Sequence, residues 1–151
     1  YAVPPETGNC LFRLRAIGLQ PVLTHPERHP ILQNHPEQVL GWVKEQCIVQ
    51  VTASAITGYW GDVARRSALC LLDHQAVHVI ATDAHDDRHR TPVLSQAREF
   101  VAKRFSPELA TALVNDNPKA IVNGDKLPFF PPPVAGRQKL MASLRRVVSG
   151  G

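Results

Sequence analysis

Three short apolar, β-branched runs, at residues 20–25, 47–52 and 77–82, are separated from one another by stretches with helical periodicity. This alternation constrains the fold more than any other feature. Runs of six residues suit strands better than helices. Strands joined by helices re-enter a sheet in the same direction. The chain is therefore expected to form an α/β fold with a parallel sheet and right-handed crossovers. Three such strands are compatible with an open doubly wound sheet or with part of a barrel.

The helical stretches read as follows. In residues 6–17, Leu11, Leu14 and Ile17 recur every third position with Arg13 and Arg15 between them. This predicts a short amphipathic helix stopped by Gly18. Residues 36–46 predict a helix with Pro36 in its first turn and Val39, Leu40 and Val43 inward. Residues 61–73 predict another, with Val63, Ala64, Ser67, Ala68 and Leu71 on one side. Residues 93–104 and 107–114 add two helices, and Asn117-Pro118 opens a short last turn. The first strand, 20–25, is expected to be buried.

Charge is distributed unevenly. The formal net charge is +4. Lys126, Arg137, Lys139, Arg145 and Arg146 face only Asp125 after residue 123, which leaves twelve basic and twelve acidic residues in 1–123. A balanced body does not read as a nucleic-acid binder. Residues 128–133 form a proline-rich linker that cannot be helical throughout. Residues 137–148 could make a small basic amphipathic helix able to dock at an anionic membrane surface. The expected domains are 1–125 for the body and 126–151 for linker and tail. Cys10, Cys47 and Cys70 lie in apolar surroundings with no C-x-x-C pair, as reduced buried thiols of a cytoplasmic protein do. No stretch reaches the roughly 18–20 apolar residues of a membrane span, and no signal peptide is visible.

Two polar clusters follow two of the strands: His25-Pro26-Glu27-Arg28, and Thr82-Asp83-Ala84-His85 followed by Arg90. Ligands in parallel α/β folds bind at the carboxyl ends of strands, where both clusters fall. Alternate residues of an extended chain point to the same side, which would let Asp83 and His85 converge on one metal ion. His25 precedes a proline and is expected to be extended at the end of its strand. Mixed imidazole and carboxylate donors suit Mn, Fe or Zn without choosing among them. Arg28 and Arg90 lie just beyond the two clusters. Guanidinium forks favour a phosphate ester over a neutral amide. Glu27 reads as a structural partner of an arginine or a backbone amide, His78 as structural, His89 as a possible substrate contact, and Trp42 and Trp60 as packing residues. His29, His35 and His74 receive no role.

The combination of Pro21-Val22-Leu23-Thr24-His25-Pro26-Glu27-Arg28, Gln50-Val51-Thr52-Ala53, Gly58 and Gly61, Ala81-Thr82-Asp83-Ala84-His85 with Arg90, and Asn117-Pro118 resembles the polymerase-and-histidinol-phosphatase (PHP) superfamily. Within it, the chain is most similar to the manganese-dependent protein-tyrosine phosphatases of bacterial capsule and exopolysaccharide operons. The resemblance covers roughly residues 1–125. It implies the C-terminal part of a distorted (β/α)7 barrel with a metal cluster. His25, Asp83 and His85 match metal ligands, and Arg28 and Arg90 match the arginines that hold phosphate. It also implies a hydroxide nucleophile rather than a cysteine, with the phosphotyrosine tail of a polysaccharide-assembly kinase as substrate.

Three departures stand out. The family's opening H-x-H does not precede His25. Thr52 and Ala55 stand where the family has asparagine and serine. The loop Asp86-Asp87-Arg88-His89 is unusually charged. A barrel typically takes roughly 200–250 residues, and this chain begins at Tyr1 with Met141 as its only methionine. It is thus expected to be the C-terminal half of such an enzyme, weakly active alone. A PHP-type phosphatase of small esters such as histidinol phosphate, and a non-catalytic docking fragment, are the competing expectations.

Overall fold

The computed structural model describes residues 2–133; the expected basic helix at 137–148 lies outside them. The chain opens with α1 (Thr7–Ala16), followed by β1 (Val22–Thr24), a 3-10 turn at Pro26–Arg28, α2 (Pro36–Lys44) and β2 (Ile48–Thr52). It continues with α3 (Ala53–Thr57), α4 (Gly61–Asp73), β3 (Val79–Ala81), α5 (Ser95–Arg104) and α6 (Pro107–Thr111). A π-helical turn at Ala112–Asp116 then leads into α7 (Asn117–Asn123). The strands form one parallel sheet in the order β1-β2-β3, with Val22 opposite Ile48 and Gln50 opposite Val79. The expected parallel α/β arrangement is therefore present.

β2 is the central strand, and Ile48, Val49 and Val51 are fully buried. Continuous β-branched burial of this kind suits a strand covered on both faces. β1 departs from expectation. Val22 and Thr24 are exposed, because among the described residues β1 is an edge strand paired on one side only. α1 likewise buries none of its residues, and Ile17, expected inward, is exposed. Cys10 on this helix is exposed, unlike the buried Cys47 and Cys70. α2 and α4 meet expectation, with Val39, Leu40 and Val43 buried on one and Ala64, Ser67, Ala68 and Leu71 on the other. Val63 is the exception: it sits one position off the buried stripe and faces solvent.

α3 is a five-residue helix that starts directly after Thr52, the last residue of β2, and packs against α4 and α5. It ends where Gly58 takes φ +96°, and α4 begins at Gly61 with φ +82°. These left-handed angles are unstrained only for glycine. They turn the chain sharply twice, and Tyr59-Trp60 is the segment between.

The last described segment is fastened to the body. Asn117 is fully buried and its Nδ2 donates to the carbonyls of His78 (2.8 Å) and Phe129 (2.7 Å). Its Oδ1 accepts from the Phe129 N–H (3.0 Å). Phe130 stacks on the His78 ring at 4.2 Å. Asn117 thus begins a seven-residue helix and also pins the proline-rich stretch beside β3.

Candidate functional site

The site is built on the carboxyl ends of the three strands. The His25 N–H donates to Gln50 O (2.8 Å), one step beyond the last paired residue of β1. The chain then turns at once, and the Arg28 N–H donates back to His25 O (3.0 Å). His25 is therefore left-handed (φ +40°, ψ +51°) rather than extended. The ladder bond and the 3-10 turn together override the bias imposed by Pro26. Asp83 follows β3 in the same unusual region, at φ +53°. Non-glycine residues held there store strain of about 1–3 kcal/mol each and concentrate at functional sites.

The Asp83 angle also changes how Asp83 and His85 meet. They do not share a side through regular strand alternation. Instead His85 Nδ1 folds back to within 2.8 Å of the Asp83 carbonyl and 3.9 Å of its carboxylate. A carbonyl only accepts, so Nδ1 carries a hydrogen, and the neutral imidazole in that tautomer has its lone pair on Nε2. A backbone carbonyl that fixes the tautomer in this way is the usual support of a metal-binding histidine.

Arg28 and Arg90 meet on the same atom. Arg28 Nη1 and Arg90 Nη2 both donate to Asp83 Oδ2, and Arg90 Nη2 also reaches the Asp83 carbonyl at 3.1 Å. Partial burial works to raise the Asp83 pKa. The Arg28 hydrogen bond and the charges of Arg90 and Arg28 outweigh it, and His25 adds to them, so the carboxyl stays below its ordinary value. The charged loop after His85 holds Arg90 in place. Asp86 Oδ1 accepts from the backbone N–H groups of Arg88 (2.8 Å), His89 and Arg90 (3.0 Å), and the His85 N–H donates to Arg90 O (3.0 Å).

Glu27 lies beneath this layer. It is fully buried, and Oε1 accepts both the N–H and the hydroxyl of Thr52, each at 2.8 Å. Oε2 is buried without a hydrogen-bond partner among the described residues. Burial raises the Glu27 pKa despite the opposing Thr52 bonds. The expected structural pairing with a backbone amide is present, and the amide is that of Thr52. His78 is likewise structural: it is fully buried and accepts from the Val49 N–H at 3.0 Å.

Trp60 is the residue that sequence reasoning missed. The Arg28 guanidinium lies 3.9 Å from its ring centre and that of Arg90 5.5 Å. Trp60 Nε1 donates to Ser54 Oγ (2.9 Å), and Tyr59 meets the ring edge-on at 5.4 Å. Two clefts adjoin the arginines. One, of about 170 Å³, is lined by Ser54, Tyr59, Thr82, His89 and Arg90. The other, of about 400 Å³, is lined by His25, Arg28 and Trp60. The only sequence signal for Trp60 is its place between two glycines.

The donors at this edge have the right chemistry for a divalent cation, and the His85 tautomer suits it. Among the described residues, however, no three His, Cys, Asp or Glu side chains form a group able to hold a metal ion by themselves. The fit is that of part of a coordination shell. His25 is near enough for its charge to act on Asp83.

The profile of the family described as Capsular polysaccharide synthesis, CpsB/CapC matches residues 6–123. The chain is 28% identical over 117 residues to tyrosine-protein phosphatase CpsB of Streptococcus pneumoniae, covering 74% of this chain and 48% of the relative. It is 26% identical over 138 residues to tyrosine-protein phosphatase YwqE of Bacillus subtilis, covering 91% and 54%. It is 30% identical over 122 residues to CpsB of Streptococcus agalactiae, covering 78% and 50%. The fold superposes with a TM-score of 0.83 and 24% identity on a crystal structure from work on YwqE of B. subtilis and CpsB of S. pneumoniae, described as metal-dependent tyrosine phosphatases. That match covers 90% of this chain and 54% of the other. The chain spans about half the length of the relatives it matches. With its profile match running from α1 to the end of α7, the chain belongs to the CpsB/CapC capsular polysaccharide synthesis family.

Proposed function

We propose that residues 1–125 carry the phosphate-binding part, and some of the metal ligands, of a metal-dependent protein-tyrosine phosphatase. The observation that carries this reading is the convergence of Arg28, from the carboxyl end of β1, and Arg90, from beyond the carboxyl end of β3, on Asp83, across the end of the central strand β2. Two fixed guanidiniums aimed at one anionic oxygen form a receptor for an oxyanion. A phosphate monoester offers them more acceptor oxygens than the single carboxylate oxygen they now share. His25, Asp83 and His85 would supply part of the coordination shell of a divalent cation, with manganese proposed over iron or zinc. When bound, the cation supplies Lewis acidity that acidifies water and neutralises phosphoryl charge.

The chain's own residues do the rest. Arg28 and Arg90 bind the phosphoryl oxygens and stabilise the charge that grows as water adds to phosphorus and the bond to the tyrosine oxygen breaks. The products are tyrosine and inorganic phosphate. Thiol chemistry is disfavoured. Burial pushes the Cys47 thiol up to about 11 and the Cys70 thiol up to about 12, so neither is a thiolate near neutral pH. Cys10 is on α1 and lines neither cleft beside the arginines.

The proposed architecture is a run of consecutive staves of a distorted (β/α)7 barrel, with which the sequential order of the three described strands agrees. The proposed substrate is the phosphorylated tyrosine tail of a bacterial polysaccharide-assembly kinase, and the proposed compartment is the cytoplasm. Among the described residues no helix is long and apolar enough to cross a membrane. The test is phosphate release from a phosphotyrosine peptide and from histidinol phosphate with manganese present, beside calorimetric binding of each. Selective binding of the phosphopeptide, lost in Arg28→Ala and Arg90→Ala, is the expected result. Equal affinity for both esters, or none for either, overturns it.

A further inference from the structure

We infer that Trp60 is a positioning residue: its ring is the platform on which Arg28 and Arg90 are stacked so that their N–H edges face a bound phosphate. The inference rests on the phosphate-binding reading above and extends it to a residue outside the ligand motifs.

Two guanidiniums on one carboxylate oxygen repel each other, and neither is enclosed, with side-chain exposures of 21% for Arg28 and 26% for Arg90. Something must hold both in one orientation when Asp83 is not their partner. The Trp60 ring lies within reach of both, at 3.9 Å and 5.5 Å. An indole face is the strongest aromatic partner for a guanidinium, and its negative quadrupole offsets the charge repulsion. Stacking also engages the flat face of the guanidinium and leaves its in-plane N–H groups free for a bidentate fork. A lysine or an unstacked arginine would lack that division of labour.

The ring is itself fixed. Its Nε1–H is bonded to Ser54 Oγ at 2.9 Å, on the helix that begins where β2 ends. The left-handed glycines at 58 and 61 fold the Tyr59-Trp60 segment back towards the strand ends. The platform is thus tied to the same sheet edge that presents the arginines. Tyr59 packs edge-on against Trp60 and is itself exposed.

The experiment uses the full chain with inorganic phosphate and O-phosphotyrosine as probes. Trp60→Leu keeps apolar bulk without a π face, and Trp60→Phe keeps a face. Leu should weaken affinity for both probes by roughly tenfold, while Phe stays within about twofold of the parent. Equal affinity in all three proteins overturns the platform, as does an equal loss in Leu and Phe. A second measurement does not depend on the Trp60 variants folding. In the parent, the Nε–H proton resonances of Arg28 and Arg90, assigned through Arg28→Lys and Arg90→Lys, should be moved upfield by the indole ring current. Random-coil shifts for both overturn the inference. If the parent binds neither probe, the phosphate reading itself fails; if it binds them and Trp60→Leu binds equally well, only the platform fails.

Discussion

Glu27 Oε1 accepts two hydrogen bonds from one residue, the backbone N–H and the hydroxyl of Thr52, both at 2.8 Å. This pair joins the turn that carries His25 and Arg28 to the end of β2. Both partners are fully buried. Thr52→Val removes one donor and keeps the shape, and should cost about 1–2 kcal/mol in urea unfolding. Glu27→Ala leaves both donors unpaired beside a cavity and should cost more, about 2–4 kcal/mol. Equal stability of Glu27→Ala and the parent would show that the turn is held by its backbone bonds alone.

Asp83 is both a candidate metal ligand and the internal partner of Arg28 and Arg90. It therefore competes with phosphate whenever metal is absent. Asp83→Asn should strengthen metal-free phosphate binding by roughly threefold to tenfold, since a neutral amide holds guanidiniums more weakly than a carboxylate. The same change should weaken manganese binding. Calorimetry with phosphate alone and with manganese alone separates the two effects. A variant that weakens both would make Asp83 a scaffold of the arginine pair rather than their competitor.

Much of this arrangement was legible in the residue pattern, and what was not has identifiable causes. α2, β2 and α4 were readable because burial enforces periodicity: Val39, Leu40 and Val43 repeat at helical spacing, and β2 is β-branched because both its faces are covered. α1 and β1 carry the same apolar spacing but lie at the edge of the described fold, so the pattern overstated their burial. Sequence position placed the two arginines beside the two ligand motifs. It could not show that both bend to one oxygen, because that depends on the left-handed Asp83 and on the Asp86 turn that brings Arg90 back. Trp60 was invisible for a similar reason. The glycines on either side of it announce a turn but do not point to partners that lie 32 and 30 positions away along the chain.

His78 makes stability depend on pH. It is fully buried, and burial lowers its pKa from 6.5 to about 4. The unfolded chain therefore takes up a proton near pH 6.5 that the folded chain refuses until about pH 4. Stability is full above 6.5 and is lost as pH falls through that window, by up to about 3 kcal/mol. His78→Asn can keep an acceptor for the Val49 N–H and does not titrate. Its unfolding free energy should fall less between pH 7 and pH 4.5 than that of the parent. Parallel pH profiles would mean that other groups carry the whole acid dependence.

Asn117 should decide whether the segment at 128–130 stays on the body. Its amide makes three hydrogen bonds, two to Phe129 and one to the His78 carbonyl, that tie these segments together among the described residues. Asn117→Leu removes all three and leaves the His78 carbonyl and the Phe129 backbone to find other partners, at a cost of about 2–4 kcal/mol. The loss should also be local. Phe130 is held by its stack on His78, and that contact alone is worth only about 0.5–1.5 kcal/mol. Amide exchange should therefore accelerate at Phe129 and Phe130 well before it does in β2, and trypsin should cut after Lys126 faster than in the parent. Asn117→Asp is the informative companion. It keeps the acceptor for the Phe129 N–H but turns the two donor contacts into repulsions between oxygens. If Asp and Leu release the segment alike while β2 protection is unchanged, Asn117 acts through its donated bonds as a clip. Exchange that accelerates uniformly across the sheet would instead make Asn117 a core residue whose loss unfolds the domain as a whole.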